Sequence, residues 1–136
     1  MSILCSVFGA CLTLTGMAGV HDGDTITLRN HHIRIHGIDA EELDERHGLR
    51  ARDALVRIIN GQPVTCRSTG DTSHHRIVAR CRTSEGKDIG ELMVRGGHAL
   101  DCLKYSGGVY VRYETREART HLRAKPYCSP HTDLKR

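Results

Sequence analysis

Between Leu12 and Ile38, apolar and polar residues alternate with a period of two, in runs separated by short turns. Successive side chains of a strand point to opposite faces, so such a stretch folds as strands with one buried face and not as a helix. Leu12-Thr13-Leu14-Thr15 lies in the first run, residues 11–20. Asp22-Gly23-Asp24 is a turn signal, Thr25-Ile26-Thr27-Leu28 a second strand, and Arg29-Asn30 the next turn. From His32 to Ile38, the residues Ile33, Ile35 and Ile38 face inward, while Arg34 and His36 face the other side. Three strands with short turns make a meander.

The period then changes. Ala51, Ala54, Leu55, Ile58 and Ile59 form one helical stripe that stops at Asn60-Gly61. Its charges Arg50, Arg52, Asp53 and Arg57 read as a solvated face. Pro63 to Arg67 and Arg76 to Cys81 are strands four and five, joined by a polar link from Ser68 to His75. Centring that link near Ser73–His74 puts Cys66 opposite Cys81. Facing residues of an antiparallel pair have Cα atoms ~4.5–5.5 Å apart, within reach of a disulfide. Asp88 caps a short helix with Ile89, Leu92 and Met93 on its inner side, ended by Gly96-Gly97. Residues 98–105 read as irregular or extended. Tyr113 to Ala124 reads as a last helix with Ala118 and Leu122 inward, bracketed by Cys102 and Cys128. The fold class expected is α+β, mainly β: a five-stranded OB-fold Greek-key barrel with about three helices.

With 136 residues the chain makes one domain of ordinary size. The domain is assigned to residues 11–128. Residues 1–10 read as a targeting remnant or N-terminal extension, and residues 129–136 as a flexible tail. The uncharged run before Asp22 is too polar and too rich in Gly and Thr for a spanning helix, and it lacks the positive start of a signal peptide. The six cysteines include no C-x-x-C pair, which points to disulfides rather than zinc and to an oxidising compartment, secreted or periplasmic. The ten histidines offer no zinc spacing and read as surface residues. Residues 1–100 hold 12 basic and 12 acidic residues; residues 101–136 hold 8 and 4, so the net charge of +4 sits at one end. Such a surface suits a polyanion, although a solvated charged helix has the same composition.

Three segments place ionisable residues at strand ends: Asp22 to Thr25, Arg34 to Glu42, and the link ending in Arg76. Asp24 and Asp39 at neighbouring strand ends make a hard-oxygen site for Ca²⁺ or Mg²⁺. Arg34 points at the same face, and Glu42 is placed to hold a water. A metal, a carboxylate base and two arginines are what phosphodiester hydrolysis needs. Each piece also has an ordinary reading: the Asp-Gly pair as a turn, Arg34 as a structural ion pair, and Asp39 and Glu42 as charges at a helix start.

The order of three motifs resembles the staphylococcal thermonuclease family: Val20-His21-Asp22-Gly23-Asp24-Thr25, then Arg34 through Gly37-Ile38-Asp39-Ala40-Glu41-Glu42, then Asp71 to Arg76. The resemblance covers roughly residues 11–128. It implies an OB-fold nuclease that hydrolyses DNA and RNA with Ca²⁺ and leaves 3′-phosphates. By motif, Asp24, Asp39 and the carbonyl of Ala40 would ligate calcium. Arg34 and Arg76 would bind the scissile phosphate, and Glu42 would be the general base. Asp22 would support the site from behind, with Thr25 nearby. Two departures stand out. Glu41 replaces the family's proline, which loosens the turn, adds negative charge beside the site and competes with Glu42 as a ligand. His74 and His75 replace the tyrosine and glycine usual before the second arginine. Tyr105 is a candidate for stacking on a base, and equally a structural tyrosine.

The reading is therefore a Ca²⁺-dependent nuclease acting on DNA and RNA, a monomer by default. The alternative is a catalytically weakened nucleic-acid-binding module on the same fold. A third reading is a disulfide-stabilised interaction domain without a nucleic-acid role, which predicts no salt-dependent DNA binding.

Overall fold

The structure is a computed structural model and describes residues 12–128; the assignments for residues 1–10 and 129–136 lie outside the described residues. The barrel strands are β1 (Thr13–Gly16), β2 (Gly19–Asp22), β3 (Thr25–Leu28), β4 (His31–Ile35), β6 (Val64–Ser73) and β7 (Arg76–Arg82). They form one sheet in the order β1-β6-β7-β4-β3-β2. Its two end strands are consecutive halves of a single extended stretch, bent at Met17–Ala18. The expected first strand thus pairs through β1 with β6 and through β2 with β3. That double use closes the sheet, and the only parallel pairing in it is β4 with β7. The architecture is α+β, mainly β, as expected, with the first of five barrel strands broken in two. A small pair, β5 (Ile38–Asp39) with β8 (Leu100–Asp101), lies outside that sheet.

Among the described residues four α-helices accompany the sheet: α1 (Gly48–Ile59), α2 (Ile89–Arg95), α3 (Leu103–Ser106) and α4 (Arg116–His121). The helical stripe of α1 is buried at Ala51, Ala54, Leu55 and Ile59, and Asn60 ends the helix in the left-handed conformation, with φ 54°. The barrel interior is filled by Ile26, Leu28, Ile33, Ile35 and Val64, joined by Leu55 of α1 and Met93 of α2. Asp88 caps α2 by accepting from the Glu91 N–H, as expected; the buried side of that helix is Ile89, Met93 and Val94, with Leu92 only half-buried.

Three expectations change. The polar link Ser68–His75 is mostly strand, because β6 runs to Ser73 and only His74 and His75 turn. Both have positive φ (50° and 65°), as do Arg29 and Asn30 between β3 and β4, which is the two-residue turn that matches strand twist. The turn thus lies one position later than the centring that paired Cys66 with Cys81. The pairing nevertheless holds, because a bulge between Ser68 and Thr72 shifts the register back. Cys66 and Cys81 face each other and are bridged, with sulfurs 2.09 Å apart. The stretch 98–105, expected irregular or extended, is extended at β8 but turns helical from Leu103, where α3 begins. The last helix is shorter than Tyr113–Ala124: a 3₁₀ turn at Val111–Tyr113 comes first, and extended Thr115 caps α4 by accepting from the Ala118 N–H. Cys102 and Cys128 are bridged across this region. Among the described residues, no helix is long and apolar enough to cross a membrane.

Two glycines set the spacing of the loops that carry acidic residues. A Cβ on Gly23 would lie 2.6 Å from the Ala40 Cβ and 2.7 Å from the Ala51 Cβ, so the β2–β3 turn needs glycine for close approach to α1. A Cβ on Gly48 would overlap the carbonyl of Glu42, which folds back on the start of α1. Gly23→Ala should therefore destabilise the protein by about 1–3 kcal/mol, the usual cost of overpacking; denaturant unfolding measures this. A change near zero would show that the turn relaxes away from α1 freely.

Candidate active site

Strand alternation puts Arg34 on the face opposite Ile33 and Ile35, where it is 7% exposed. A guanidinium cannot shed its charge, so burial there requires partners. Arg34 Nη2 lies 3.3 Å from Asp24 Oδ2 and 3.6 Å from Asp39 Oδ1, and Nη1 donates to the Ile35 carbonyl at 2.9 Å. Burial opposes its charge, but Asp24 and Asp39 outweigh that and raise its pKa. The ordinary reading of Arg34 as an ion pair and the chemical one thus describe the same contacts.

Asp24 is the hub of the cluster. Its Oδ2 also accepts from the Ala40 N–H at 2.9 Å, which ties the β2–β3 turn to the loop after β5. Its Oδ1 accepts from the Thr25 hydroxyl at 3.2 Å, and that hydroxyl accepts from Arg76 Nη1 at 2.9 Å. Arg76 stands at the end of the β6–β7 hairpin and is steadied by Ser73 through Nε, at 3.1 Å from its carbonyl. Asp22 Oδ1 accepts from the Asp24 N–H at 3.1 Å. Burial, followed by the neighbouring Asp24 charge, pushes the Asp22 carboxyl up to about 6. Asp22, Asp24, Thr25, Arg34, Asp39, Ala40 and Arg76 are thus joined in one network.

Two of the expected roles change. Asp39 and Glu42 do not cap α1: its N-cap is His47, which makes no side-chain cap. Glu41 does not compete at the site. Its buried carboxylate accepts from the His47 N–H at 3.0 Å, from the Arg123 N–H at 3.2 Å and from His47 Nδ1 at 3.2 Å. Burial works against its charge, but these hydrogen bonds hold its carboxyl below the usual range. The extra negative charge is absorbed in fastening the loop, so the turn is braced by hydrogen bonds where the family's proline would brace it by its ring.

Lys125 was not legible as a site residue. Its ammonium lies 2.9 Å from Glu42 Oε1 and 3.1 Å from Asp39 Oδ1, and its N–H donates to Asp39 Oδ2 at 2.9 Å. The bridged Cys128, three residues on, was the one signal that fixed this segment near the barrel. Burial raises the Asp39 carboxyl, against the pull of Lys125. Among the described residues, no three His, Cys, Asp or Glu side chains converge as a ready metal cluster, since these carboxylates converge on Arg34 and Lys125.

Tyr105 is 45% exposed and meets Tyr127 edge-on, with ring centroids 6.4 Å apart. The two rings flank a narrow groove with Arg34, His36 and Thr72 in its wall. Tyr127 was missed for the same reason as Lys125: it follows from the Cys102–Cys128 bridge and from no local pattern.

Comparison with known proteins follows the same residues. The family described as "Staphylococcal nuclease homologue" matches residues 32–124. That span holds Arg34, Asp39, Glu42 and Arg76, and it ends one residue before Lys125. A succinoglycan biosynthesis protein, ExoI, of Rhizobium meliloti (strain 1021) is 30% identical over 113 residues, covering 75% of this chain and 59% of its own. A probable staphylococcal-like nuclease, CAN4, of Oryza sativa subsp. japonica is 36% identical over 83 residues, covering 61% of this chain and 17% of its own. An uncharacterized endonuclease of Escherichia coli is 28% identical over 108 residues, covering 76% of this chain and 71% of its own. The chain therefore spans little more than half of the first of these proteins and a small part of the second.

His36, in the groove wall, gives the site a pH signature. It is 9% exposed, and its Nδ1 has no partner among the described residues. Burial, then the Arg80 charge, lowers its pKa below the ordinary value. A base depressed in the folded state contributes stability above its unfolded pKa of about 6.5 and loses it as the pH falls. The wild type should lose more stability than His36→Gln between about pH 7 and pH 5, followed by urea midpoints in a chelating buffer. Parallel losses in the two proteins would exclude His36 as the cause.

Proposed function

Because the chain belongs to the staphylococcal nuclease homologue family, we propose that it is a nuclease that hydrolyses phosphodiester bonds of DNA and RNA with Ca²⁺ and leaves 3′-phosphate ends. The observation that carries the reading is the continuous network from Arg76 through Thr25 and Asp24 to Arg34 and Asp39, with Glu42 beside it. A set of structural ion pairs has no need of a second arginine at this network, nor of a half-exposed glutamate at its rim.

The donor chemistry fits a hard divalent cation. The set is oxygen only, it is rich in carboxylate, and the Lys125 ammonium already rests on Asp39, one of its members, and on the neighbouring Glu42. Asp24, Asp39 and the carbonyl of Ala40 are the residues that would hold calcium. Bound there, the ion would supply charge neutralisation at a phosphate oxygen and orient the ester.

The remaining work falls to the chain's own side chains. Arg34 and Arg76 bind the scissile phosphate and stabilise the charge that grows on it, in the bidentate manner open to guanidinium groups. Their separate anchors, Asp24 with Asp39 for one and Thr25 with Ser73 for the other, hold them without rearrangement. Glu42 takes the proton of the attacking water. Tyr105, exposed at the groove, stacks on an unpaired base. The two disulfides support an oxidising compartment, secreted or periplasmic, as the place where it works.

The test is hydrolysis of single-stranded DNA by the purified protein with Ca²⁺ or with a chelator, beside Glu42→Gln and Arg76→Ala. Cleavage should require calcium and fall by about 10²–10⁴-fold in Glu42→Gln, the range expected for a lost general base. Arg76→Ala should fall by a comparable factor while keeping its melting temperature within a few degrees. Salt-dependent DNA binding without cleavage by the parent protein would instead assign the chain to the binding-module class.

A further inference from the structure

We propose that Lys125 is a tethered competitor for the calcium seat: its ammonium rests on Asp39 and Glu42, and a divalent cation binds there only by displacing it. The proposal rests on the reading that Asp39 ligates the metal with Glu42 at the rim of the seat. Both oxygens of Asp39 are engaged by this one residue, Oδ1 by the ammonium at 3.1 Å and Oδ2 by the backbone N–H at 2.9 Å. The same ammonium lies 2.9 Å from Glu42 Oε1. An ammonium offers three donors and one positive charge, so it satisfies two carboxylates as a small cation would.

The ammonium is delivered by an anchored segment. The Lys125 carbonyl accepts from the Cys128 N–H at 2.9 Å, and Cys128 is bridged to Cys102. The Cys102 N–H in turn donates to the Gly37 carbonyl at 2.8 Å, two residues before Asp39. The path from Lys125 back to its own partner therefore runs through one covalent bridge and two backbone hydrogen bonds. The backbone is fixed, whereas the side chain is half-buried and its four-carbon stem is free to swing out. The seat thus has two states, one closed by Lys125 and one open. When the competent state is only fractionally populated, apparent affinity falls by that fraction.

Calcium titration of the full chain in a calorimeter, without substrate, separates the possibilities. Lys125→Gln should bind Ca²⁺ at least about tenfold tighter than the wild type, the factor expected from removing one charge-assisted contact. Lys125→Arg, which keeps the charge, should stay within a few-fold of the wild type. Lys87→Gln, which removes an exposed lysine paired only with Glu85, controls for general charge and should also match the wild type. In chelator, Lys125→Gln should melt below the wild type and gain more from added calcium. Equal or weaker binding by Lys125→Gln, or an equal gain in Lys87→Gln, overturns the competitor role and leaves the metal reading standing. Binding by none of the four proteins overturns both.

Discussion

The structure depends on a guanidinium taken out of water. Arg34 sits on β4 with its side chain turned away from the apolar interior, yet almost no solvent reaches it. Its charge is permanent, so the chain must bring carboxylates to it or forfeit the fold. Asp24 comes from the β2–β3 turn and Asp39 from the end of β5. Removing one partner of such a group costs about 3–5 kcal/mol, a large share of a small domain's stability. The interactions that hold the turn, the strand end and β4 together are thus the same ones that set among acidic oxygens the arginine proposed to bind phosphate. Fold and proposed chemistry draw on one network.

Glu41 shows how such a loop tolerates the loss of a stiff residue. Proline would restrict the turn by fixing φ. Here a buried carboxylate collects two backbone N–H groups and an imidazole, from His47 at the start of α1 and Arg123 after α4. The brace reaches across 82 residues of sequence, so the loop that presents Glu42 is held by the C-terminal segment as much as by its own conformation. Gly48 completes the brace from the other side, since only a residue without a Cβ leaves room for the Glu42 carbonyl.

The local layers of this organisation were legible in the sequence. Period-two alternation located β3 and β4, the 3.6-residue stripe located α1, and the three motifs named Asp24, Arg34, Asp39, Glu42 and Arg76 as one group. The Cys66–Cys81 pairing was right although the turn was misplaced by one position, because the bulge between Ser68 and Thr72 restored the register. What stayed hidden depends on long-range closure. The split of the first strand at Met17–Ala18 serves two partners far apart in sequence, and nothing in that dipeptide announces it. Lys125 reaches Asp39 across 86 residues, and its position follows from the Cys102–Cys128 bridge, which the sequence showed only as two cysteines bracketing a helix. Glu41 was misjudged because a carboxylate's neighbours, and not its type, decide whether it binds a metal or fastens a loop.

The bend at Met17–Ala18 also bears on how safely this sheet exists in solution. A strand that ends a sheet bares a row of backbone donors and acceptors on which another chain can build. Here the two end strands are halves of one segment, each four residues long; β1 covers β6 at Val64–Arg67, and β4 covers β7 at Ile77–Ala79. The first half of β6 is therefore closed to intermolecular pairing on the β1 side. If the first half came loose, the ten-residue strand β6 would lose its only partner on that side. A few residues with little burial of their own thus shield that half of β6 from edge-to-edge pairing.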